Sequence, residues 1–366
     1  MDDNFYAFWL TYLLKIPTSK LWASVHKLGS VKSLYEANIA DLEVLTEAEK
    51  IYFEQMRQRT DIHDKWLNIK GNPYQFLPYN SNLYPKRLLE LKDAPFGIYY
   101  EGMEEIASLN ERPVVAMVGA RNCTIYGSEL AYQIARELGR QGIIVVSGLA
   151  AGIDGASHRG CLDGGGFTLG VLGAGIHNVY PKSNYQLFIE MRKKGGILTE
   201  YPYETKPLPL LFPRRNRIIS VLADFLVVIE AKEKSGSLIT VDFALEQGKD
   251  IGAVPGRPCD IVSGGCNRLL QQGAKCILSA EDVLEELMDS GMLQKRRIEP
   301  TKVNTDLGLA PKEKMVYSCL RLEPKFIDEI LCQLKLPVWE GIQILTDLEM
   351  KGIVQQNPHH YYYRKI

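Results

Sequence analysis

The chain has 366 residues, with 43 Lys or Arg against 44 Asp or Glu, so its formal net charge is −1. This length predicts two or three domains, and the near-neutral charge excludes a protein that binds polyanions over its whole surface. No apolar run approaches the ~18 residues of a transmembrane helix, and Asp2 and Asp3 give the amino terminus the wrong charge for a secretory signal. We therefore expect a cytoplasmic protein with no membrane association.

The cysteines are odd in number and include no Cys-x-x-Cys pair, so neither a disulfide framework nor a zinc site is expected. We expect most of them to be small core residues, and the sequence predicts no metal site and no cofactor. The seven are Cys123, Cys161, Cys259, Cys266, Cys276, Cys319 and Cys332.

Residues 1–70 have the pattern of short helices. Segments 19–28 and 31–37 resemble two helices joined at Gly29, and segment 47–65 predicts a further, strongly charged helix. A passage rich in Pro, Asn and Tyr follows at 71–85 and predicts a domain boundary. The amino-terminal region is therefore expected to be a small all-α domain.

Residues 71–290 alternate apolar strand-like runs with helical patterns, which predicts an α/β domain with a doubly wound parallel sheet. Buried strands are predicted at 114–118, 143–147, 168–172, 225–230 and 251–255. Helices are predicted at 127–141, 183–194 and 238–247.

The carboxyl-terminal part divides into a polar linker, residues 291–308, and a winged-helix-like domain, residues 309–366. The predicted elements of this domain are three helices, at 312–322, 325–334 and 338–351, and two hairpin strands, at 353–356 and 361–364, which turn at Asn357 and Pro358. The third helix carries three acids (Glu340, Asp347 and Glu349) against Lys351, so we expect it to bind protein or support the fold, not to read DNA.

Glycines follow three consecutive predicted strands. Gly119 and Arg121 follow the first, Gly148 and Gly152 the second, and Gly173 the third. In open α/β sheets ligands bind outside the carboxyl ends of the strands, where glycine allows close approach and the next helix offers free N–H groups to an anion. Tight turns also need glycine, but three such loops in succession predict a ligand that carries phosphate.

A focused cationic segment stands out from the neutral background. Residues 212–217, called the arginine segment below, contain Phe212, Arg214, Arg215, Asn216 and Arg217. Arginine presents planar, forked donors that suit phosphate, so the segment predicts an anion site on a loop at the carboxyl edge of the sheet, shared with Arg121. The alternatives are a solvated charge run, or individual members that brace the loop by pairing with carboxylates.

The sequence Ser235, Gly236, Ser237 precedes another predicted helix. Either serine suits the N-cap of that helix, and the alternative is a further anion cradle facing the arginine segment.

No Gly-x-Gly-x-x-Gly sequence opens a helix and no Walker A sequence is present. Asp154 and His158 are expected to cap a helix or to make core polar contacts, and no catalytic residue is predicted.

An ordered series of motifs resembles the DNA-processing protein A family of bacteria (DprA, also called Smf), strongly over residues 75–280. The series comprises Tyr84-Pro85, 95–102 (PFGIYYEG), Val118 to Arg121 (VGAR) with Tyr126-Gly127, 147–154 (SGLAAGID) with His158, Tyr180-Pro181, Thr199-Glu200, 212–219 (FPRRNRII), Glu230, 235–240 (SGSLIT), 254–256 (VPG) and Gly273-Ala274.

The resemblance implies an extended Rossmann-like domain that binds single-stranded DNA without sequence preference, between a SAM-like or helix-hairpin-helix-like amino-terminal domain and the winged helix. It also implies a homodimer without enzymatic activity that protects incoming strands, displaces single-strand-binding protein and loads the RecA recombinase during natural transformation. The DNA-binding motifs of the family correspond here to Arg121 and to residues 212–217.

The chain departs from the family pattern at two places. Ala120 stands where many members have serine, and segment 15–18 lacks the glycines of the family's helix-hairpin-helix loop, which argues against DNA binding by the amino-terminal region.

Two other classes of function remain. A phosphoribohydrolase on a similar fold would carry Pro-Gly-Gly-x-Gly-Thr followed by Glu, where this chain has 235–240. A pure adaptor acting through residues 309–366 would leave the arginine segment unexplained.

Overall fold

The computed structural model describes residues 3–103, 106–293, 309–320, 324–357 and 360–364, which are called the described residues below. Its helices are α1 (Asp3–Leu10), α2 (Thr18–Leu28), α3 (Val31–Glu36), α4 (Glu47–Arg57), α5 (Thr60–Leu67), α6 (Ile125–Arg140), α7 (Ile153–Asp163), α8 (Tyr185–Lys194), α9 (Leu211–Leu222), α10 (Gly236–Glu246), α11 (Gly264–Gln271), α12 (Ala280–Asp289), α13 (Pro311–Cys319), α14 (Ile327–Leu334) and α15 (Val338–Met350). Its strands are β1 (Gln75–Pro78), β2 (Gly97–Gly102), β3 (Val114–Val118), β4 (Ile144–Ser147), β5 (Thr168–Val171), β6 (Gly196–Thr199), β7 (Phe225–Val228), β8 (Asp250–Ala253), β9 (Lys275–Cys276), β10 (Lys325–Phe326), β11 (Val354–Asn357) and β12 (Tyr361–Arg364).

Nine strands form one large sheet in the order β1-β2-β6-β5-β4-β3-β7-β8-β9. Strands β3 to β9 run parallel, and β2 runs antiparallel to both of its neighbours. The chain winds from β3 through β4 and β5 to β6 on one side, and then places β7 on the other side of β3. The sheet therefore reverses its winding direction between β3 and β7, and the prediction of an α/β fold with a parallel-dominated sheet is confirmed.

The central strands form where apolar runs are covered by helices on both faces. All five residues of β3 are buried, as are all residues of β4, β5 and β7. The five predicted strands are present, with ends shifted by at most two residues. Strands β1, β2, β6 and β9 were not predicted from sequence, because they are short or carry glycine and tyrosine instead of aliphatic runs.

The amino-terminal helices cover one end of the sheet through an aromatic cluster. Phe8 packs edge-on against Phe76 of β1 and contacts Tyr99 of β2, while Trp66 of α5 contacts both Phe8 and Phe76. The helix predicted at 47–65 is in fact two helices, α4 and α5, separated at residues 58–59. The passage predicted as a boundary contains strand β1, and a separate domain at residues 1–70 stays a prediction.

Helices α13, α14 and α15 pack with a second antiparallel sheet of order β10-β12-β11 around a small core that includes Val316, Ile330 and Leu345. The predicted helix at 325–334 begins only at Ile327, because Lys325 and Phe326 pair with β12. This unit has the elements of a winged helix, but that assignment stays a prediction. Most of the predicted linker (294–308) and Pro358 of the predicted turn lie outside the described residues.

All seven cysteines are free thiols, but only Cys161 and Cys266 are buried. The expectation that most cysteines belong to the core is therefore wrong, since Cys259, Cys276 and Cys332 are exposed on loops, β9 and α14. Within the described ranges, no group of His, Cys, Asp and Glu side chains is arranged to hold a metal ion. No helix in the same ranges has both the length and the apolar character that crossing a membrane requires.

Candidate functional site

A cleft of about 470 Å³ opens at the carboxyl ends of β3 and β7, where the sheet reverses its winding direction. The segments that follow these two strands diverge and leave a crevice between them, which is the general ligand position in open α/β sheets. The cleft is lined by the loop after β3, the loop after β7 and the first turns of α9. It brings together Gly119, Arg121, Phe212, Arg215, Asn216, Ser235, Gly236 and Ser237 of the residues predicted from sequence.

A cation and two aromatic rings lie in contact along one wall of this cleft. The guanidinium carbon of Arg121 lies 5.4 Å from the ring centroid of Phe212, and the Phe212 and Tyr180 centroids are 5.3 Å apart with their planes at 41°. Arg121 is exposed, Tyr180 is 45% exposed, and Arg121 has no carboxylate partner among the described residues. This wall therefore offers both a free positive charge and ring faces to a ligand.

Two lysines extend the positive charge to the opposite wall. Lys232 and Lys234 line the cleft, are exposed and have no ion-pair partner among the described residues, while Glu233 turns towards Gly264 at the start of α11. These lysines were not predicted as site residues from the sequence, although they follow β7 as Arg121 follows β3. Among the described residues that line the cleft, Asp154 is the only carboxylate, and it is buried. The cleft is therefore electropositive at its mouth.

The loop that carries Arg121 is fixed to the end of β7 by Glu230. The carboxylate of Glu230 accepts hydrogen bonds from the Thr124 backbone N–H at 2.9 Å and from the Thr124 hydroxyl at 2.5 Å. Thr124 in turn caps α6 by accepting a hydrogen bond from the Gly127 N–H at 3.0 Å. The Ala120 N–H donates to the Glu230 carbonyl at 2.7 Å. These contacts hold the two walls of the cleft at a fixed separation.

The arginine segment is helical and not a loop, because α9 begins at Leu211 and tolerates Pro213 in its first turn. Helical geometry turns its members in different directions. Phe212 and Asn216 line the cleft, Arg214 is exposed on another face, and Arg215 and Arg217 are buried. The expectation of one exposed arginine surface is thus corrected by the structure.

Arg217 points away from the cleft into an enclosed ion cluster. Its Nε donates to Asp93 at 2.7 Å, and its two terminal nitrogens donate to the Glu200 carboxylate at 2.9 and 2.7 Å. The side chains of Arg217 and Glu200 are only 8% and 10% exposed. All the charge on this guanidinium is therefore matched by protein carboxylates, and Arg217 joins α9 to the loop after β6 and the segment before β2.

Arg215 lies beneath the cleft, with its Nη1 donating to the carbonyls of Gly148 and Val171 at the ends of β4 and β5. Burial lowers the pKa of Arg215 to about 10, although Asp154 opposes this effect. Asp154 itself accepts hydrogen bonds from the N–H groups of Gly148 at 3.1 Å and Ala150 at 3.3 Å. Arg215 therefore has a structural role, since it ties the ends of β4 and β5 together at the floor of the cleft.

Most of the predicted glycines are required by close packing against protein atoms. At Gly152, where φ is +75°, a Cβ would lie 2.3 Å from the Ala120 carbonyl oxygen, and at Gly148 it would lie 2.5 Å from an Arg215 nitrogen. A Cβ on Gly173 would likewise meet the ring of Phe212 at 2.8 Å. The predicted reason for these glycines, close approach of a ligand, is thus corrected to close packing against α9 and the loop after β3. They shape the cleft from behind.

The start of α10 faces α9 across the cleft. Ser235 is the N-cap of α10 and accepts a hydrogen bond from the Ser237 N–H at 3.4 Å, and Asn216 Nδ2 donates to the Gly236 carbonyl at 3.4 Å. The capping role predicted for Ser235 is confirmed. A Cβ on Gly236 would meet open space, so this turn is accessible from the cleft. An anion cradle at Ser235, Gly236 and Ser237 stays a prediction.

His158 lies wholly inside the fold, as expected for a core polar contact. Its Nδ1 lies 2.7 Å from Thr168 Oγ1, which itself donates to the Val145 carbonyl at 2.8 Å, so Nδ1 carries the proton and donates. Nε2 is buried without a partner among the described residues. Burial lowers the pKa of His158 to about 3, with Arg215 and Arg159 adding to the effect. A catalytic pair with Asp154 is not formed.

The buried neutral state of His158 predicts acid lability of the fold. Because the folded pKa of about 3 lies below the unfolded value of 6.5, the unfolded chain binds the extra proton between these values. The contribution of His158 to stability is complete above pH 6.5 and is lost as the pH falls towards 3. When the pH falls from about 6.5 to about 5, the free energy of unfolding, measured with urea, should therefore decrease by about 2 kcal/mol more for the wild type than for His158→Gln. Equal losses in the two proteins would contradict this assignment.

Comparison with known protein families places the cleft within a matched region. The family profile of DNA recombination-mediator protein A matches residues 75–288. The DNA processing protein DprA of Bacillus subtilis is 44% identical over 211 residues, which cover 58% of this chain and 70% of that protein. The protein Smf of Synechocystis is 36% identical over 322 residues, which cover 80% of this chain and 81% of that protein.

Two solved structures are similar to the fold. The X-ray structure of DNA processing protein A from Streptococcus pneumoniae superposes with a TM-score of 0.67 at 34% identity, covering 76% of this chain and 97% of that one. A structure of DNA processing protein A from Helicobacter pylori, which describes a single-stranded DNA binding mode, superposes with a TM-score of 0.54 at 29% identity. That match covers 59% of this chain and 96% of the Helicobacter pylori chain.

Proposed function

The chain belongs to the DNA recombination-mediator protein A family, and from this premise we propose that it binds single-stranded DNA in the cleft between β3 and β7. The binding residues of this proposal are Arg121, Phe212, Asn216, Ser235, Gly236 and Ser237 from the sequence prediction, with Tyr180, Lys232 and Lys234 added. Gly119, Gly148, Gly152, Gly173 and Arg215 shape the cleft from behind or below.

The observation that carries the proposal is the cluster of Arg121, Phe212 and Tyr180 at the mouth of the electropositive cleft, where the cation lies over the Phe212 ring and the Tyr180 ring packs beside it. Proteins that bind single strands without sequence preference combine a cationic groove with aromatic faces, because every base has a π-face that can stack. The bases of a duplex are already stacked on one another and are unavailable to such rings. The cleft therefore suits unpaired strands.

We expect oligo-dT to bind more tightly than a duplex of the same length. Affinity should fall by roughly tenfold or more between about 50 and 200 mM salt, since each phosphate contact releases counterions. Fluorescence anisotropy of labelled oligonucleotides at several salt concentrations measures both effects. Equal affinity for the two forms across this range would refute binding by base stacking.

We further propose that the protein acts as a homodimeric mediator that protects incoming strands, displaces single-strand-binding protein and loads RecA during natural transformation. The family membership supports this mediator role. The cations of the cleft that have no ion-pair partner among the described residues, Arg121, Lys232 and Lys234, support capture of the strand before loading. Loading is tested by measuring RecA-dependent ATP hydrolysis on DNA coated with single-strand-binding protein, with and without this protein. No acceleration by the wild type would contradict the mediator role.

The enzyme alternative has less support. A phosphoribohydrolase needs a carboxylate free to act on its substrate, whereas Asp154, the only carboxylate among the described lining residues, accepts two backbone hydrogen bonds beside Arg215. The neighbouring Glu230 is engaged by Thr124. These engagements favour a binding site, and we propose that the protein has no enzymatic activity of its own.

Deletion of residues 306–366 should leave the affinity for single strands within about threefold of the wild type, or ~0.7 kcal/mol. On α15 and near it, Lys351 pairs with Glu313 at 2.6 Å and Lys312 pairs with Glu340, so neither lysine is free for phosphate. Oligo-dT titration of the shortened, folded protein measures this. A loss greater than about tenfold would mean that the carboxyl-terminal unit binds DNA directly.

A further inference from the structure

Two loops at the carboxyl edge of the sheet carry an aromatic stack that the cleft does not use. His177, in the loop after β5, and Tyr203, in the loop after β6, have ring centroids 5.0 Å apart with planes at 28°. The Tyr203 phenol oxygen and His177 Nδ1 share a hydrogen bond of 3.0 Å. Tyr203 also stacks on the buried Tyr74, with centroids 5.1 Å apart and planes at 23°. The stack thus begins in the core and ends at the exposed ring of His177.

Backbone contacts hold this stack in place. The Thr205 carbonyl accepts hydrogen bonds from the Gly175 N–H at 2.8 Å and from Asn178 Nδ2 at 3.0 Å, so the two loops are tied together. A turn closed by the Asn178 N–H and the Gly175 carbonyl at 2.9 Å presents His177. A Cβ on Gly175 would lie 2.1 Å from the Tyr203 carbonyl oxygen, which shows how closely the loops pack. A ring held this firmly loses little conformational freedom when a ligand stacks on it.

The stack and the cleft lie along the same carboxyl edge of the sheet. The loops after β7, β3, β5 and β6 all leave the carboxyl ends of parallel strands, in the spatial order β6-β5-β4-β3-β7. Neighbouring strands lie ~4.8 Å apart, so β5 and β6 are ~10 and ~14 Å from β3. That is the length of about three or four bases when they are stacked ~3.4 Å apart.

The loop after β5 also connects this stack directly to the aromatic rings of the cleft. Tyr180, whose ring packs on Phe212 in the cleft, follows His177 by only three residues. Lys206, close to Tyr203 in sequence, is exposed and has no carboxylate partner among the described residues. Exposed rings next to a free cation form the combination that binds single-stranded nucleic acid.

We propose that the stack of His177 on Tyr203 is a second base-binding platform, on which the unpaired bases of a strand held in the cleft continue beyond Tyr180. This inference rests on the proposed function, and it adds a ligand site for a longer strand. Because ring stacking does not depend on base identity, the platform extends the site without adding sequence preference.

Oligo-dT of two lengths tests the platform. A dinucleotide spans only ~3.4 Å and stays within the cleft, whereas a strand of about 16 nucleotides reaches both sites. His177→Ala should weaken binding of the longer strand by about tenfold, because stacking on a ring contributes ~1–3 kcal/mol per base, and should change binding of the shorter strand by less than about twofold. His177→Phe keeps an aromatic face and should retain the affinity for the longer strand. His26→Ala is the matched control, because His26 is also an exposed ring, 5.8 Å from that of Trp22 on α2.

The outcomes separate the platform from the cleft. If His177→Ala binds both lengths as the wild type does while Arg121→Ala weakens both, the platform is refuted and the cleft stands. An equal loss for both lengths in His177→Ala would make His177 part of the cleft and refute a second platform, as would an equal loss in His26→Ala. If Arg121→Ala changes neither affinity, the cleft fails and the platform fails with it.

Discussion

Replacing Arg217 with alanine is expected to lower the free energy of unfolding by about 3–5 kcal/mol, because the change leaves a buried carboxylate without its counter-charge. Arg217 makes three charged hydrogen bonds to Asp93 and Glu200, and the Glu200 side chain is only 10% exposed. Without Arg217, the Glu200 carboxylate must remain charged in a desolvated place or take up a proton, and either response costs stability. Urea unfolding followed by circular dichroism gives the difference directly.

The matched control lies three residues earlier on the same helix. Arg214 is exposed, so Arg214→Ala should change the free energy of unfolding by no more than about 0.5 kcal/mol. Arg217→Lys keeps the charge but loses the fork that spans two carboxylates, so its stability should fall between those of the wild type and Arg217→Ala. A loss below about 1 kcal/mol in Arg217→Ala would show that the ion cluster does not support the fold.

Arg121→Ala is expected to weaken the binding of oligo-dT by about tenfold to a hundredfold without a comparable loss of stability. The charge-assisted hydrogen bonds of a phosphate contact contribute about 1.5–3 kcal/mol. Arg121 is exposed, packs on the ring of Phe212 and has no carboxylate partner among the described residues, so its removal leaves no buried charge unpaired there. Arg140→Ala is the control, since Arg140 ends α6 at the opposite edge of the sheet. Equal affinities of the wild type and Arg121→Ala would contradict the proposed contact.

The sequence was informative where local pattern and structure coincide. The run at 114–118 predicts β3 to the residue, because a fully buried parallel strand needs a continuous apolar segment. The rule that ligands bind at the carboxyl ends of such strands then located Gly119 and Arg121 at the cleft. The same rule applied to β7 would have added Lys232 and Lys234, and Tyr180 was already present among the family motifs.

The remaining features depend on contacts between distant parts of the chain. Arg217 is buried because Asp93, 124 residues earlier in the chain, and Glu200, 17 residues earlier, meet it in the fold. Nothing in the local sequence distinguishes it from the exposed Arg214. The role of the glycines after β4 and β5 could not be predicted from local sequence either, since the atoms that exclude a side chain at Gly148 and Gly173 belong to α9. Such roles follow from the tertiary arrangement and not from spacing.

The salt dependence of binding tests the central claim, that the cleft between β3 and β7 holds the phosphates of a single strand. The logarithm of the oligo-dT affinity should fall linearly with the logarithm of salt concentration, and the slope should be smaller by about one unit for Arg121→Ala than for the wild type. Phe212→Ala should weaken binding through lost stacking but keep the wild-type slope, because it removes no charge. A slope unchanged by Arg121→Ala, at unchanged affinity and with the protein folded, would contradict phosphate binding in this cleft.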